Sequence, residues 1–218
     1  LPAPEDKFEV DATSDAFAHH KTFLEYKPQT TDKESPLLRG IEVYQELIKY
    51  YQEKKLLEQY VDADVSRLKF VNAQVSDIGK KETFLARLKE IEEEFTNVTT
   101  STLASFEIAK QYQSDHEYVT AVQVCQKAIE RHSKSDGGIL CQDLVDTIKH
   151  PQFSVKTENS INKSNATLTV KYKNIRKLYF RIIQDDWKNY LDNKWRRLDD
   201  DLEHNVVTNL LKKKPLQE

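Results

Sequence analysis

The chain has 218 residues and a formal net charge of −3, with 32% charged and 38% hydrophobic residues. A net charge near zero excludes a protein drawn to nucleic acid or to anionic membranes by its overall charge. The ten Tyr, nine Phe and two Trp exclude a disordered chain, because disordered segments lack aromatic residues. The sequence also has no run of roughly 18 apolar residues, so we expect neither a nucleic-acid partner nor a membrane span.

The positions of Gly and Pro predict the fold class. The four Gly and six Pro leave three stretches with neither residue, namely 41–78, 80–136 and 152–214. A Gly costs a helix interior roughly 1 kcal/mol and a Pro roughly 3 kcal/mol, so these stretches permit long helices. We therefore predict an all-α protein, an elongated up-and-down bundle of long antiparallel helices with coiled-coil-like seams. An extended N-terminal arm (1–35) is expected to precede the helical bundle domain (36–218).

The first half of the chain is expected to hold a short helix and two long ones. A short helix is expected within the arm, over residues 14–26. Ser35 followed by Pro36 is a strong helix start. Apolar residues then repeat at spacings of three and four up to residue 78, which is a helical period. Gly79 allows a break before a second apolar stripe at 84–95, and the Thr-rich segment 96–102 is predicted to connect to the next helix.

The second half is expected to end in the longest helix. A helix over 103–132 is followed by a turn at 133–138 and a short helix over 139–149 that Pro151 ends. The polar segment 152–165 is predicted to be a loop. Thr167 would then cap a helix that runs to residue 212.

The two cysteines, Cys125 and Cys141, bracket the turn at 133–138. An even count allows one bridge, so we predict a disulfide that ties the helical hairpin at its tip. Loop closure of this size contributes on the order of 3 kcal/mol in the chain-entropy model. The alternative is a pair of buried thiols that pack as small apolar groups.

Three Asn-x-Ser/Thr sequences, at Asn97, Asn162 and Asn165, predict N-glycosylation in polar connectors. The chain also starts at Leu1 and contains no Met, as expected of a chain after signal cleavage, or of a trimmed one. We therefore expect a secreted, extracellular protein.

The remaining polar clusters predict no catalytic or metal site. Adjacent residues on a helix diverge by about 100°, so His19 and His20 are interpreted as a solvated pair, with metal binding as the weaker alternative. The acidic runs 92–94 and 199–201 are interpreted as solvated helix faces for the same reason. No Gly-rich phosphate loop or nucleophile elbow is present, and we expect no enzyme activity and no cofactor.

One basic and aromatic patch and one aromatic pair lie in the last predicted helix. The patch comprises Lys171, Lys173, Arg176, Lys177 and Arg181. It predicts contact with a polyanion such as a glycosaminoglycan, and the alternative is an ordinary amphipathic helix. Trp187 and Trp195 are expected to pack in the core or to anchor a partner protein.

The character of the whole chain resembles small secreted helical proteins from the saliva of blood-feeding flies, in particular the culicine 34-kDa type that includes neutrophil-stimulating factors. The resemblance is carried by the start Leu1-Pro2-Ala3-Pro4-Glu5-Asp6, by the single cysteine pair and by the helix-rich body with few Gly. It implies immunomodulation without catalysis, with a vertebrate host protein or a leukocyte as the target.

Three hypotheses for function follow from the sequence. The first is a secreted interaction protein that binds a host or extracellular protein. The second is an intracellular coiled-coil scaffold or tether subunit, and the third is a carrier of a small hydrophobic ligand between helices.

Overall fold

The computed structural model describes residues 7–157, 167–183 and 204–215. Contacts between residues divide the chain into two compact units, Leu1–His150 and Pro151–Glu218. The described residues of the first unit are helical, whereas those of the second form a hairpin and one helix. The predominantly helical fold class is therefore confirmed, and long helices with coiled-coil-like seams are not.

The elements follow one another with short connections. In the first unit a 3₁₀ turn at Asp15–Phe17 precedes α1 (His20–Glu25), α2 (Pro36–Glu53), α3 (Leu57–Gln74), α4 (Lys80–Glu94), α5 (Ser101–Ser114), α6 (Tyr118–His132) and α7 (Asp136–Lys149). In the second unit β1 (Gln152–Thr157) pairs antiparallel with β2 (Leu168–Lys173), and α8 (His204–Leu211) comes later.

Two helix starts show how local sequence determines the elements. Ser35 caps α2, where its Oγ accepts a hydrogen bond from the Leu38 N–H at 3.4 Å, and Pro36 is the first helical residue, as predicted. Ser135 caps α7 in the same way, with a hydrogen bond of 3.1 Å from the Gly138 N–H. The helix predicted from residue 139 therefore begins three residues earlier, at Asp136, and its first turn contains Gly137 and Gly138.

The helices of the first unit are shorter than predicted because the chain reverses at residues that are not Gly. Lys55 (φ 56°) lies between α2 and α3, and His116 (φ 63°) lies between α5 and α6. Both adopt the left-handed conformation, which non-Gly residues seldom adopt. Neither break contains a Gly, and the single helices predicted over 36–78 and 103–132 are wrong.

The core of the first unit consists of two clusters of buried residues. From α2 onward, each helix packs on the next one in the chain. Phe17 and Phe23 of the N-terminal segment are fully buried among α2, α3 and α4 residues such as Ile41, Leu68 and Leu88. A second cluster joins α5, α6 and α7 around the two cysteines. The division into an arm and a bundle domain stays a prediction, but part of the arm contributes to this core.

The helix predicted from residue 167 to residue 212 is wrong at its start. Residues 168–173 alternate apolar and polar side chains, which is the period of a strand, and they form β2. The segment predicted to be a loop contains its partner strand β1. Among the described residues, no helix has the length and apolar character to cross a membrane.

Candidate functional site

The predicted disulfide between Cys125 and Cys141 is wrong. Cys125 on α6 and Cys141 on α7 are free cysteines, and both side chains are fully buried. The neighbouring Cys125 thiol and, after it, burial raise the pKa of the Cys141 thiol. Both thiols lie among Ala128, Leu144 and other apolar residues, so they pack as small hydrophobic groups, the alternative that the sequence left open.

The predicted glycosylation residues differ in what the structure describes. Asn97 is exposed in the turn after α4, where a glycan would project into solvent. Asn162 and Asn165 lie outside the described residues. Glycosylation at all three positions stays a prediction.

The predicted polyanion patch lies on β2 and the segment that follows it, and its five cations do not share one surface. Alternate residues of a strand point to opposite faces, so Lys171 and Lys173 lie on one face of β2 and Tyr172 on the other. Arg181 Nη1 donates a hydrogen bond of 3.1 Å to the Leu211 carbonyl oxygen at the end of α8. A helical basic stripe is therefore absent from this described segment.

The remaining two cations line a groove of about 270 Å³ in the second unit. Its lining is mostly apolar, and the residues are Val170, Tyr172, Ile175, Arg176, Lys177, Leu178 and Phe180. We call this feature the hairpin groove. Tyr172 pairs across the hairpin with Phe153, and both rings are mostly exposed.

The aromatic residues beside the hairpin groove are unusually accessible. Tyr179 is 81% exposed and Tyr172 is 67% exposed. The Lys177 ammonium lies 4.8 Å from the centroid of the Tyr179 ring, within the range of a cation–π interaction. The groove thus combines apolar rings with positive charge on a solvent-facing surface.

The first unit brings together three potential metal ligands, His19, His20 and Glu94, of which the sequence indicated only the two histidines. His19 Nε2 lies 2.8 Å from Glu94 Oε2, and His20 Nε2 lies 3.8 Å from Glu94 Oε1. The two imidazole centroids are 3.8 Å apart. The two histidines do not diverge as residues within a helix would, because His19 precedes α1 as its N-cap residue, with φ −48° and ψ 144°.

The two imidazoles of this cluster lie in different environments. His20 is only 4% exposed and contacts the rings of Tyr60 and Phe95. Burial, followed by the neighbouring His19, lowers the pKa of the His20 imidazole. Burial thus favours the neutral form of the His20 ring over the charged form.

The acidic run 92–94 is not a uniformly solvated face. Glu92 Oε1 accepts a hydrogen bond of 2.5 Å from Arg131 Nη2, whereas Glu93 is exposed and Glu94 faces the histidines. Three consecutive carboxylates therefore have three different surroundings. The other acidic run (199–201) and both tryptophans, Trp187 and Trp195, lie outside the described residues.

Comparisons with known proteins add no relative. No family model, no curated protein and no solved structure matches the chain. The resemblance to salivary proteins stays a prediction, and the geometry described above is the basis for a functional proposal.

Proposed function

We propose that the chain is a secreted, non-enzymatic interaction protein that binds another protein through the hairpin groove. The observation that carries the proposal is the exposure of Tyr172, Tyr179 and Phe180 beside Arg176 and Lys177. Exposed apolar surface with a polar rim is typical of protein interaction sites. Tyr and Arg are also the residue types that dominate the binding energy of such sites.

The chemistry of the groove favours a partner with acidic and apolar groups close together. The rings offer apolar contact area, while Arg176 and Lys177 offer hydrogen-bond donors and positive charge to carboxylates. A sulfated glycosaminoglycan would use the same cations but would gain less from the rings. An extracellular host protein therefore fits better than a polysaccharide.

Secretion is supported by the sequons and by the position of Asn97. This side chain is exposed in a turn, so a glycan there would not disturb the core. The resemblance to secreted salivary proteins supports the same proposal and adds a vertebrate host protein or an immune cell as the target.

An intracellular scaffold is the second candidate, and the cysteines favour it. Reducing compartments keep thiols free, and Cys125 and Cys141 are free and buried. The third hypothesis, a carrier of hydrophobic ligands, has weaker support. The groove between residues 7–15 and 26–30 is lined mainly by polar side chains, such as Lys7, Glu9 and Gln29, which do not suit an apolar ligand.

Binding of labelled full-length protein to vertebrate leukocytes, measured by flow cytometry, tests the interaction. Arg176→Ser and Tyr179→Ser remove one cation and one exposed ring, and each is expected to reduce binding about tenfold. Tyr50→Ser is the matched control, because Tyr50 is 51% exposed on α2, far from the groove in sequence. Binding that is unaffected by both groove variants, or absent in the wild type, contradicts the proposal.

Two further measurements separate the alternatives. Loss of binding after heparinase treatment of the cells would identify a glycosaminoglycan instead of a protein as the partner. Mass spectrometry of the protein from its natural source tests secretion, because only a chain that enters the secretory pathway carries a glycan at Asn97. A bare Asn97 would favour the intracellular scaffold.

A further inference from the structure

We propose that His19, His20 and Glu94 bind a divalent transition-metal ion with the ligand preferences of Zn²⁺. The three side chains come from two parts of the first unit, the start of α1 and the last turn of α4. Their ligand atoms all lie within 4.8 Å of one another. This site is separate from the hairpin groove and independent of the proposed partner.

The distances are close to those of a tetrahedral site. Bonds of 2.0–2.2 Å from Zn²⁺ to imidazole nitrogen and carboxylate oxygen place two ligand atoms of a tetrahedral site about 3.3 Å apart. The His19 Nε2 atom lies 2.8 Å from one Glu94 oxygen, and the His20 Nε2 atom lies 3.8 Å from the other. All ligand atoms lie within 4.8 Å of one another, so they must approach by about 1.5 Å or less to coordinate one ion. The side chains of His19 and Glu94 are partly exposed, so they have room to move.

The backbone around His19 makes the convergence feasible. His19 has an extended conformation and His20 is the first residue of α1, so the change of direction between them turns both rings to one side. The rings are tilted by 39° and lie 3.8 Å apart. Two consecutive residues inside a helix would not present both imidazoles to one ion.

The environment of His20 holds one ligand in position. The side chain is 4% exposed, and its ring contacts the rings of Tyr60 and Phe95. A side chain that is packed on several sides has few alternative rotamers, so the Nε2 atom of His20 is held near Glu94 before an ion binds.

Coordination requires one proton to move on His19. Its Nδ1 accepts a long hydrogen bond of 3.4 Å from the Lys21 N–H, so the ring proton is on Nε2 and is donated to Glu94. An ion bound to Nε2 leaves the proton on Nδ1, and the contact with Lys21 is lost. Binding thus exchanges one long hydrogen bond and one His–Glu pair for metal–ligand bonds.

The ligand set selects the class of ion. Two imidazole nitrogens and one carboxylate suit Zn²⁺ and similar transition metals, whereas Ca²⁺ and Mg²⁺ prefer six or more oxygen ligands. Three protein ligands leave a fourth position of a tetrahedral site for water.

Titration of the full chain with Zn²⁺ at neutral pH, followed by calorimetry, tests the site. We expect one ion per chain, bound about 10- to 100-fold more weakly or not at all by Glu94→Gln and by His19→Gln. Glu93→Gln is the matched control, because Glu93 is exposed on the same turn of α4 and belongs to no part of the cluster. Thermal melts without metal verify that each variant folds.

Two spectroscopic readouts locate the ion. Nitrogen-15 NMR should show both Nε2 atoms shifted and the His19 proton on Nδ1. Co²⁺ should give the visible absorption of a tetrahedral site without a cobalt–thiolate charge-transfer band. Absence of binding overturns the proposal, as do equal affinities of Glu94→Gln and Glu93→Gln, or a thiolate band that places the ion on the cysteines.

Discussion

Arg67 and Asp64, one turn apart on α3, form an ion pair in the interior of the first unit. Arg67 Nη2 lies 2.6 Å from Asp64 Oδ1, and both side chains are at most 2% exposed. The guanidinium also donates hydrogen bonds to the carbonyl oxygens of Ala16 and Ala18, and it lies over the Phe23 ring. This arginine thus joins α3 to the 3₁₀ turn and α1 of the N-terminal segment.

Replacement of this arginine should be strongly destabilising. Arg67→Met leaves the carboxylate of Asp64 and two carbonyl oxygens buried without their partner, which costs about 3–5 kcal/mol of unfolding free energy. Urea denaturation measures the loss. Arg39→Met, which breaks the exposed pair with Glu42 on α2, should cost less than about 1 kcal/mol. Similar losses in the two variants would show that the buried pair does not hold the N-terminal segment.

Gly137 sits where α7 meets the start of α5. A Cβ at this position would collide with the backbone of Thr102 and Leu103, so Gly137→Ala must separate the two helices. We expect a loss of about 1–3 kcal/mol in unfolding free energy, measured by urea denaturation. Gly79→Ala is the control, because a Cβ there meets only Ala12 at 3.9 Å. An unchanged stability of Gly137→Ala would contradict the close approach of α5 and α7.

Glu58 of α3 caps the start of α5 from outside. Its carboxylate accepts hydrogen bonds from the backbone N–H and hydroxyl groups of Thr99 and Thr100, at 2.8–3.2 Å. Burial alone would raise the pKa of the Glu58 carboxyl, but these hydrogen bonds, those of Thr100 first, outweigh burial and lower it. Glu58→Gln should therefore cost about 1–2 kcal/mol at pH 7.

The pH dependence of this cost has a definite sign. At pH values between its folded and its unfolded pKa, the Glu58 carboxyl binds fewer protons in the folded chain than in the unfolded chain. Its contribution to the free energy of unfolding is therefore complete above the unfolded pKa of about 4.3. It is lost as the pH falls through the lowered folded value. The stability difference between wild type and Glu58→Gln should shrink over that range, while Glu53→Gln on an exposed site stays close to wild type. A difference that does not vary with pH would refute the carboxylate cap.

The two thiols should be protected from alkylation in the folded protein. Because Cys125 and Cys141 are fully buried, iodoacetamide should label neither residue until the chain unfolds. Mass spectrometry after labelling in native buffer and in denaturant measures this directly. A mass gain of two hydrogen atoms on reduction, or rapid labelling of the native chain, would contradict the free and buried pair.

The site residues show where sequence reasoning was sufficient and where it failed. The start of α2 was predictable, because Ser35 and Pro36 act only on the next turn of chain. The cluster of His19, His20 and Glu94 was not, since Glu94 lies 75 residues after His19 and the convergence depends on an extended conformation at His19. The one available indication was the adjacency of the histidines, for which a helical interpretation left metal binding as the weaker alternative.

The sequence by itself determined the local features of this protein. Apolar residues at helical spacing, capping residues and the scarcity of Gly and Pro act over a few residues, and they specify the helical class and several helix starts. The tertiary structure decided the rest. Reversals at Lys55 and His116, the pairing of β1 with β2 and the packing of the thiols depend on contacts between distant segments. In the core of the first unit, burial of apolar side chains contributes more than the differences in local propensity cost.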